Sequence, residues 1–411
     1  IETTGADGVP VQNLQIARGA TQTETPEPQS NLTSPAMATM SVIRRAALAC
    51  RVPRRLLSHS ASTSSPHVRT PSSLLGYFSH PFPPQDPKNH YKHPPAAAPA
   101  FHPLTASSPR LSLDFLPEIS DFCLNDSHLG LLLLREKADD LDSHNRSFLV
   151  CDPVSRRQAL VPPPPFDRFS GGEVVGVALL SRAADAAAGL QFEVVYVVVD
   201  GDHPRAWVGS FRDGWCRWNA LPRSREVTID FDLMRFERSC VHAAGGMYWH
   251  ILGSHFVLAL DTATMEFSCL PPPAMMWGVD ENRKYRIGEM PGDGQLCVAS
   301  LEEDAMMLCV RGKGKGSDNG WVLERYTPMR EVFDTVPGLP KHPLARRAKL
   351  WLSDIDAGRT GRLFVHTIGY GSFAYHMDTG KLDCLATEDG LAYGRPIFAY
   401  FSAPDDSASS S

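Results

Sequence analysis

From Leu111 onward the apolar residues come in short runs separated by clusters of Pro, Gly, Asp and Ser, and almost no stretch sustains a 3.6-residue period. That pattern predicts many short strands joined by tight turns. A degenerate unit recurs within it: an apolar strand, a turn opened by Asp or Thr, a second strand, then Leu or Val followed by proline. It runs through FLVCDPVSRRQALVPPPP to Pro165, AWVGSFRDGWCRWNALP to Pro222 and FVLALDTATMEFSCLPPP to Pro273. Weaker copies are WVLERYTPMREVFDTVPGLP to Pro340 and FAYHMDTGKLDCLATEDG to Gly390. The turn centres, near Asp152, Asp213, Asp261, Thr327 and Asp378, lie about 50 to 65 residues apart, the spacing of kelch-type blades.

One small sheet cannot bury both of its faces, so sheets of this kind stack around an axis until the ring closes. The pattern therefore predicts an all-β fold, a kelch-like β-propeller over residues 111–404 with a disordered tail at 405–411. Five hairpins are visible, and a composite blade made from Pro396–Phe401 and Leu111–Leu116 brings the number to six. A strand from Leu74–Phe78 is the rival source of closure. The longest apolar runs, Leu129–Leu134 (with Gly130) and Val194–Val199, fall far short of the roughly 20 residues of a membrane-spanning helix and read as buried strands.

Upstream the pattern is different. Residues 1–39 show no apolar periodicity and many small polar residues, which predicts a disordered leader. Met37 and Met40 are the first methionines, so this leader is expected to lie upstream of normal translation. Met40–Arg69 carries six arginines and no acidic residue, the composition of a transit peptide, yet Ile43, Ala47 and Cys50 also fall at helical spacing. Residues 71–110, rich in Pro, Ser, Ala and His, suit an extended linker. His90 and His93 within it have no Cys or acidic partner at ligand spacing and read as solvated side chains.

Charge sharpens the division. Ten basic and five acidic residues lie in the first 110 positions, against thirty and forty-one in the rest. An acidic propeller region with no basic stripe is not expected to bind nucleic acid, whose affinity comes mainly from Lys and Arg on phosphates. Nine cysteines without a C-x-x-C pair fit neither a disulfide framework nor a zinc site and point to a reducing compartment. Sequons start at Asn31, Asn125 and Asn145 without an apolar leader and read as chance.

Catalytic signatures are missing: there is no G-x-S-x-G elbow, H-E-x-x-H, P-loop or strand-G-x-G-x-x-G-helix unit. The glycines of Arg311–Ser317 sit between two strands without a following helix and read as a surface loop. Glu302-Glu303-Asp304 reads as a solvated turn, because paired-carboxylate catalysis needs groups converging from separate elements. Trp207, Trp215, Trp218, Trp249, Trp277, Trp321 and Trp351 are expected to fill space between blades, with Trp277 the exception in a loop. No enzyme activity, metal or cofactor is expected.

Four segments carry a family resemblance. Phe122–Leu134 is similar to a D-S-x-x-G-L-L-L-L strand and Val150–Arg157 to a V-C-N/D-P-x-T-R turn. Gly245–Trp249 is similar to a G-G-x-x-Y-W strand and Phe256–Pro273 to an I-L-A-F-D-x-x-T-x-x-F-x-x-L-P-x-P hairpin. In this order they resemble the propeller that follows the F-box in plant F-box proteins, of the type common in grasses. Ile43–Ser58 followed by Ser73–Phe78 resembles the second half of the F-box itself, R-A-x-L-V-C-R-x-W-R-R-L-L-S-D-P before P-L-L-G-F-F.

The first half of that box has no counterpart here, and Val52 and Pro53 stand near its missing tryptophan. The resemblance implies the substrate-recognition domain of a cullin-RING ubiquitin-ligase receptor, truncated in its F-box. It binds a protein partner through propeller-face loops, and the remnant positions Leu48, Cys50, Leu56 and Leu57 face the ligase adaptor, which docks only where the box is intact. Cytoplasm or nucleus is the implied location. The alternative is an organelle-targeted propeller that uses residues 40–69 as a mitochondrial transit peptide.

Overall fold

The structure is a computed structural model that describes residues 74–82, 97–105, 107–137, 147–165, 173–182, 189–229, 235–237, 239–252, 256–276, 285–290, 293–302, 305–312, 320–347, 350–356, 360–394 and 396–402. The adaptor-remnant positions Leu48, Cys50, Leu56 and Leu57, the leader and the tail lie outside these residues.

Antiparallel sheets follow one another along the chain as six blades. Blade 1 is built from Phe122–His128, Leu131–Glu136, Phe148–Asp152 and Arg157–Val161, innermost strand first. Blade 2 comprises Glu173–Arg182, Phe192–Asp200, His203–Arg212 and Trp215–Ala220. In blade 3 the inner position is shared by Arg235–Phe236 and Val241–Ala243, both paired with Gly246–Leu252, and Val257–Asp261 and Phe267–Leu270 follow. Blade 4 comprises Tyr285–Glu289, Leu296–Glu302, Ala305–Arg311 and Trp321–Pro328, and blade 5 Leu350–Asp356, Arg362–Thr367, Gly371–His376 and Leu382–Leu385.

The second strands explain the uninterrupted apolar runs, because each is covered on both faces. In blade 1, Leu131 and Leu133 pack toward blade 2 while Leu132 and Leu134 pack toward the closing blade, and all four are fully buried. In blade 2, Val195, Val197 and Val199 face blade 3, and Val194, Tyr196 and Val198 face blade 1. Among the described residues six apolar clusters fill the six gaps around the ring.

The predicted hairpins at Asp152, Asp213, Asp261 and Asp378 all connect third and fourth strands of their blades. Asp152 and Asp261 are equivalent in detail. Each carboxylate accepts the backbone N–H groups two and three residues on, Val154 and Ser155 in one case and Ala263 and Thr264 in the other. Thr327 is different: it lies inside the fourth strand of blade 4, opposite Met306, and is not a turn. Proline at 328 ends that strand, and two short helices follow, Arg330–Asp334 and Pro343–Arg347. Phe333 supplies their anchor in the core between blades 4 and 5.

Closure is composite, as expected, but its partner strand is not. Phe398–Phe401 pairs with Leu74–Ser79, which pairs in turn with Ala100–Pro103. Leu111–Leu116 forms no strand; Leu113 and Leu116 instead cap the core between the closing blade and blade 1. The segment 71–110, expected to be a linker, thus supplies three strands: Leu74–Ser79 and Ala100–Pro103 of the closing sheet, and Pro81–Phe82, which pairs with Ala392–Tyr393. The apolar sequence LLGYF is too short to reveal its periodicity, but Tyr77 packs toward blade 5 and Phe78 toward blade 1.

Close packing in this blade dictates single residues. A Cβ on Gly76 would stand 2.3 Å from the His102 carbonyl oxygen and 2.6 Å from the Phe101 ring. The closing blade also contains two histidines. His80 shares a hydrogen bond of 2.9 Å from Nδ1 to the Ala97 carbonyl, and its Nε2 accepts the Leu124 N–H at 3.0 Å, a pattern open only to the neutral ring. His102 bonds Ser79 Oγ at 2.8 Å and stacks on Tyr393 at 3.9 Å. Burial lowers the pKa of both, that of His102 to about 4.

Two outcomes follow from this closure. Phe78→Ala, which empties a fully buried site between two blades, is expected to cost about 3 to 5 kcal/mol in denaturant unfolding; an unchanged midpoint would mean that the strand is dispensable. Because both histidines stay neutral when folded, their contribution to stability does not change with pH above their ordinary value of 6.5. Below it the unfolded chain takes up protons that the folded chain refuses, so stability falls from 6.5 toward about 4 for His102, by up to about 1.4 kcal/mol per pH unit. Melting curves of wild type and His102→Gln across this range check the sign, with the shallower slope expected for the variant.

Candidate functional site

The inner strands carry a buried polar cluster that links three blades. A register shift between Leu124 and Asp126 makes Asn125 the extra residue of a bulge, and both side chains then reach blade 2. Asn125 Nδ2 donates to the Val177 carbonyl at 2.6 Å, and Asp126 Oδ2 accepts the Leu179 N–H at 2.8 Å. These backbone groups belong to the innermost strand of blade 2, so the side chains serve where a neighbouring strand is missing. Asn125, buried by this bond, is not presented as a glycosylation acceptor.

Asp126 also binds His242 of blade 3, Nε2 to Oδ2 at 2.9 Å, and the His242 ring lies parallel to that of His128 at 4.0 Å. Cys240 stands close enough to feel the Asp126 charge, which brings a thiol, an imidazole and a carboxylate into one neighbourhood. Geometry alone would invite a nucleophilic reading. The thiol argues against it: burial, then the Asp126 charge, push Cys240 well above the ordinary thiol value, and a protonated buried thiol is inert.

A second cluster joins blades 1 and 2 three residues further on, where the same strands end. The two-residue turn Leu129-Gly130 has positive φ at both positions, 53° and 73°, which is unfavourable for leucine. Arg182 holds it, donating from Nη1 to the carbonyls of Leu129 and Gly130 and from Nη2 to Asp152 Oδ2 at 2.6 Å. Tyr400 of the closing strand donates to the Gly130 carbonyl from the other side at 2.8 Å. Asp152, Ser155, Arg157, Arg182 and Gly189–Gln191 line a cavity of about 30 Å³ here. Small-molecule sites run to about 300 Å³ or more, so this one suits a molecule the size of water.

The outward-facing chemistry lies at the tip of blade 2. Asp213-Gly214 turns the third strand into the fourth with φ of 52° and 81°, and the next residue, Trp215, is 81% exposed. Arg212 opposite it and Arg217 two residues on are exposed as well. Trp249 and Trp321 are fully buried and Trp207 and Trp218 pack against the core between blades 1 and 2, as expected of aromatics between blades. Trp215 departs from that expectation because strand alternation turns it away from blade 1, whereas Cys216 and Trp218 face that blade. Trp277 and the Trp351 side chain lie outside what is described. So do Gly-rich residues 313–319, the Glu302 side chain, Glu303 and Asp304.

Arg182 and His242 were not singled out in the sequence, Asn125 entered it only as a sequon and Asp126 only within the Phe122–Leu134 resemblance, and their signal is thin: a polar pair at the start of an apolar strand and isolated polar residues elsewhere. Among the described residues no group of three or more His, Cys, Asp or Glu is arranged to hold a metal, and no helix is long and apolar enough to cross a membrane.

No known family profile matches the chain, and no curated protein does. Solved structures similar to it include the WD40 domain of Toxoplasma gondii coronin, with 10% identity, 80% of this chain and 78% of that one covered, and a TM-score of 0.34. The fucoside-bound Aleuria aurantia lectin matches at 10% identity over 75% and 86%, with a TM-score of 0.33. The GH74 enzyme of Niastella koreensis matches at 10% over 76% and 54%, with a TM-score of 0.33. Likenesses this distant carry neither activity nor ligand across.

The polar cluster on the axis yields a prediction. Asp126→Ala removes the acceptor for Leu179 N–H and His242 at once, inside a site only 1% exposed. A loss of about 3 kcal/mol is expected in urea unfolding, and a loss under about 0.5 kcal/mol would place the carboxylate outside the set of stabilising contacts.

Proposed function

We propose that this chain is a non-enzymatic, protein-binding propeller: the substrate-recognition part of a ubiquitin-ligase receptor of the plant F-box type, with an incomplete F-box. The observation that carries the binding reading is the exposed Trp215 between Arg212 and Arg217, because Trp and Arg are the residues that most often dominate protein interfaces. The polar groups near the axis support it by contrast. Asn125, Asp126, Arg182 and Asp152 are committed to bonds between blades, and Cys240 is held protonated.

The receptor part of the reading rests on sequence resemblance. Its motifs fall on distinct structural duties: Asp126 to Leu134 make the inner strand pair of blade 1, and Asp152 and Asp261 open equivalent hairpins. Leu48, Cys50, Leu56 and Leu57 are the remnant positions that would meet the adaptor, beside a proline at 53 that costs a helix roughly 3 kcal/mol.

The expected outcome is that recombinant adaptor does not capture the full chain. With a complete F-box grafted in place of residues 40–58, adaptor capture returns, and proteins retained by the propeller become ubiquitylated in a reconstituted ligase. Capture of the unmodified chain, lost on deletion of residues 40–60, would contradict the truncated box. A grafted chain that binds adaptor yet leaves every retained protein unmodified would contradict the receptor reading.

A further inference from the structure

The sheet of blade 2 runs further than the blade beside it. Its first three strands are 10, 9 and 10 residues long, whereas the second to fourth strands of blade 3 have 7, 5 and 4. The apolar core shared by the two blades reaches Val195, with Leu180, Val208 and Met265 packed against it. Beyond that level the face of blade 2 turned toward blade 3 changes character. Glu193 accepts from the hydroxyls of Ser181 and Ser210, and the next pair outward is Arg212 opposite Trp215. From Val208, the partner of Val195, to Arg212 at the end of its strand the ledge is about 13 Å long, at roughly 3.3 Å per residue.

Single exposed apolar side chains are ordinary. This one stands among positive charges. Arg156, Arg182, Arg205, Arg223, Arg286 and Arg346 each pair with a carboxylate. Arg212 and Arg217, both exposed, hold no side-chain partner among the described residues. They flank Trp215 on one face, since Arg212 lies opposite it and Arg217 lies opposite Ser210 on the neighbouring strand. Glu193 is the carboxylate nearest in register, and two serine hydroxyls already occupy its oxygens.

We propose that this ledge is the docking surface for an acidic, apolar segment of a partner protein: a short extended peptide whose aliphatic or aromatic side chain packs on Trp215 and whose carboxylates pair with Arg212 and Arg217. Charge complementarity selects the occupant. Two guanidiniums without a side-chain partner among the described residues offer ten N–H donors to carboxylates, a planar indole offers area at small entropic cost, and a basic segment would meet like charge. The proposal rests on the protein-binding reading and specifies its site and partner chemistry.

The test selects peptides from a displayed library of random twelve-residue sequences on the immobilised full chain. Synthetic copies are then measured by fluorescence anisotropy against wild type, Trp215→Ala and the double variant Arg212→Glu, Arg217→Glu. Selected peptides should be rich in Asp and Glu around one apolar residue. Each variant should weaken binding about tenfold or more while leaving thermal melting unchanged, as befits exposed side chains. Added salt should weaken the wild-type complex.

Acidic peptides that bind all three proteins equally would overturn the site while leaving the protein-binding reading standing. Selection of basic peptides would overturn the partner chemistry. Recovery of no peptide above a control propeller would count against both. Concentration-dependent dimers that Trp215→Ala dissolves would overturn the proposal in favour of a second copy of the chain as occupant.

Discussion

A ring of stacked sheets has no free end to spare, and everything in this molecule depends on how the ring is closed. The closing interaction is the antiparallel pairing of Leu74–Ser79 with Phe398–Phe401, in which Gly76 meets Tyr400, Tyr77 meets Ala399 and Phe78 meets Phe398. It joins strands more than three hundred residues apart, so its entropy cost is paid before any contact repays it. Without it, the inner apolar face of blade 1 (Leu132, Leu134, Leu149) and that of blade 5 (Phe364, Ala374, Leu385) lose their covers. Tyr400 connects closure to the site region as well, since its hydroxyl holds the Leu129-Gly130 turn that Arg182 holds from blade 2.

A second constraint arises on the axis. Inner strands of a propeller have one edge with no strand beside it, and backbone groups left there need partners. Here side chains of the next blade provide them, with Asn125 and Asp126 bonding Val177 and Leu179. Asn125 and Asp126 are thus occupied by the fold, and the proposed docking ledge lies instead at the rim. There the strands of blade 2 outlast those of blade 3 and carry Trp215, Arg212 and Arg217 into solvent.

The sequence makes the blades legible because second strands are buried on both faces and four hairpins open on an Asp, which at 152 and 261 caps its own turn. Leu131–Leu134 and Asp261 carry those signals plainly. Thr327 misleads because a Thr-Pro pair resembles a turn but here closes a strand that began at Trp321. Closure is harder to read for a different reason: Leu74–Ser79 is a six-residue strand in Pro- and Ser-rich surroundings, and its cover comes from the far end of the chain. The ledge is hidden for a third reason. Trp215 and Trp218 are equivalent by composition, and only the alternation of the strand assigns one to solvent and the other to the blade 1 interface.

Closure from both ends is tested most directly by calorimetric melting of chains that begin at Pro71 and at Leu111. The account predicts one cooperative transition for the longer chain. The chain from Leu111, which lacks Leu74–Ser79 and Ala100–Pro103, should have an exposed strand edge, reduced solubility and no transition at that temperature. Two chains that melt at the same temperature with the same cooperativity would show that the propeller closes without its upstream strands, and would contradict the account.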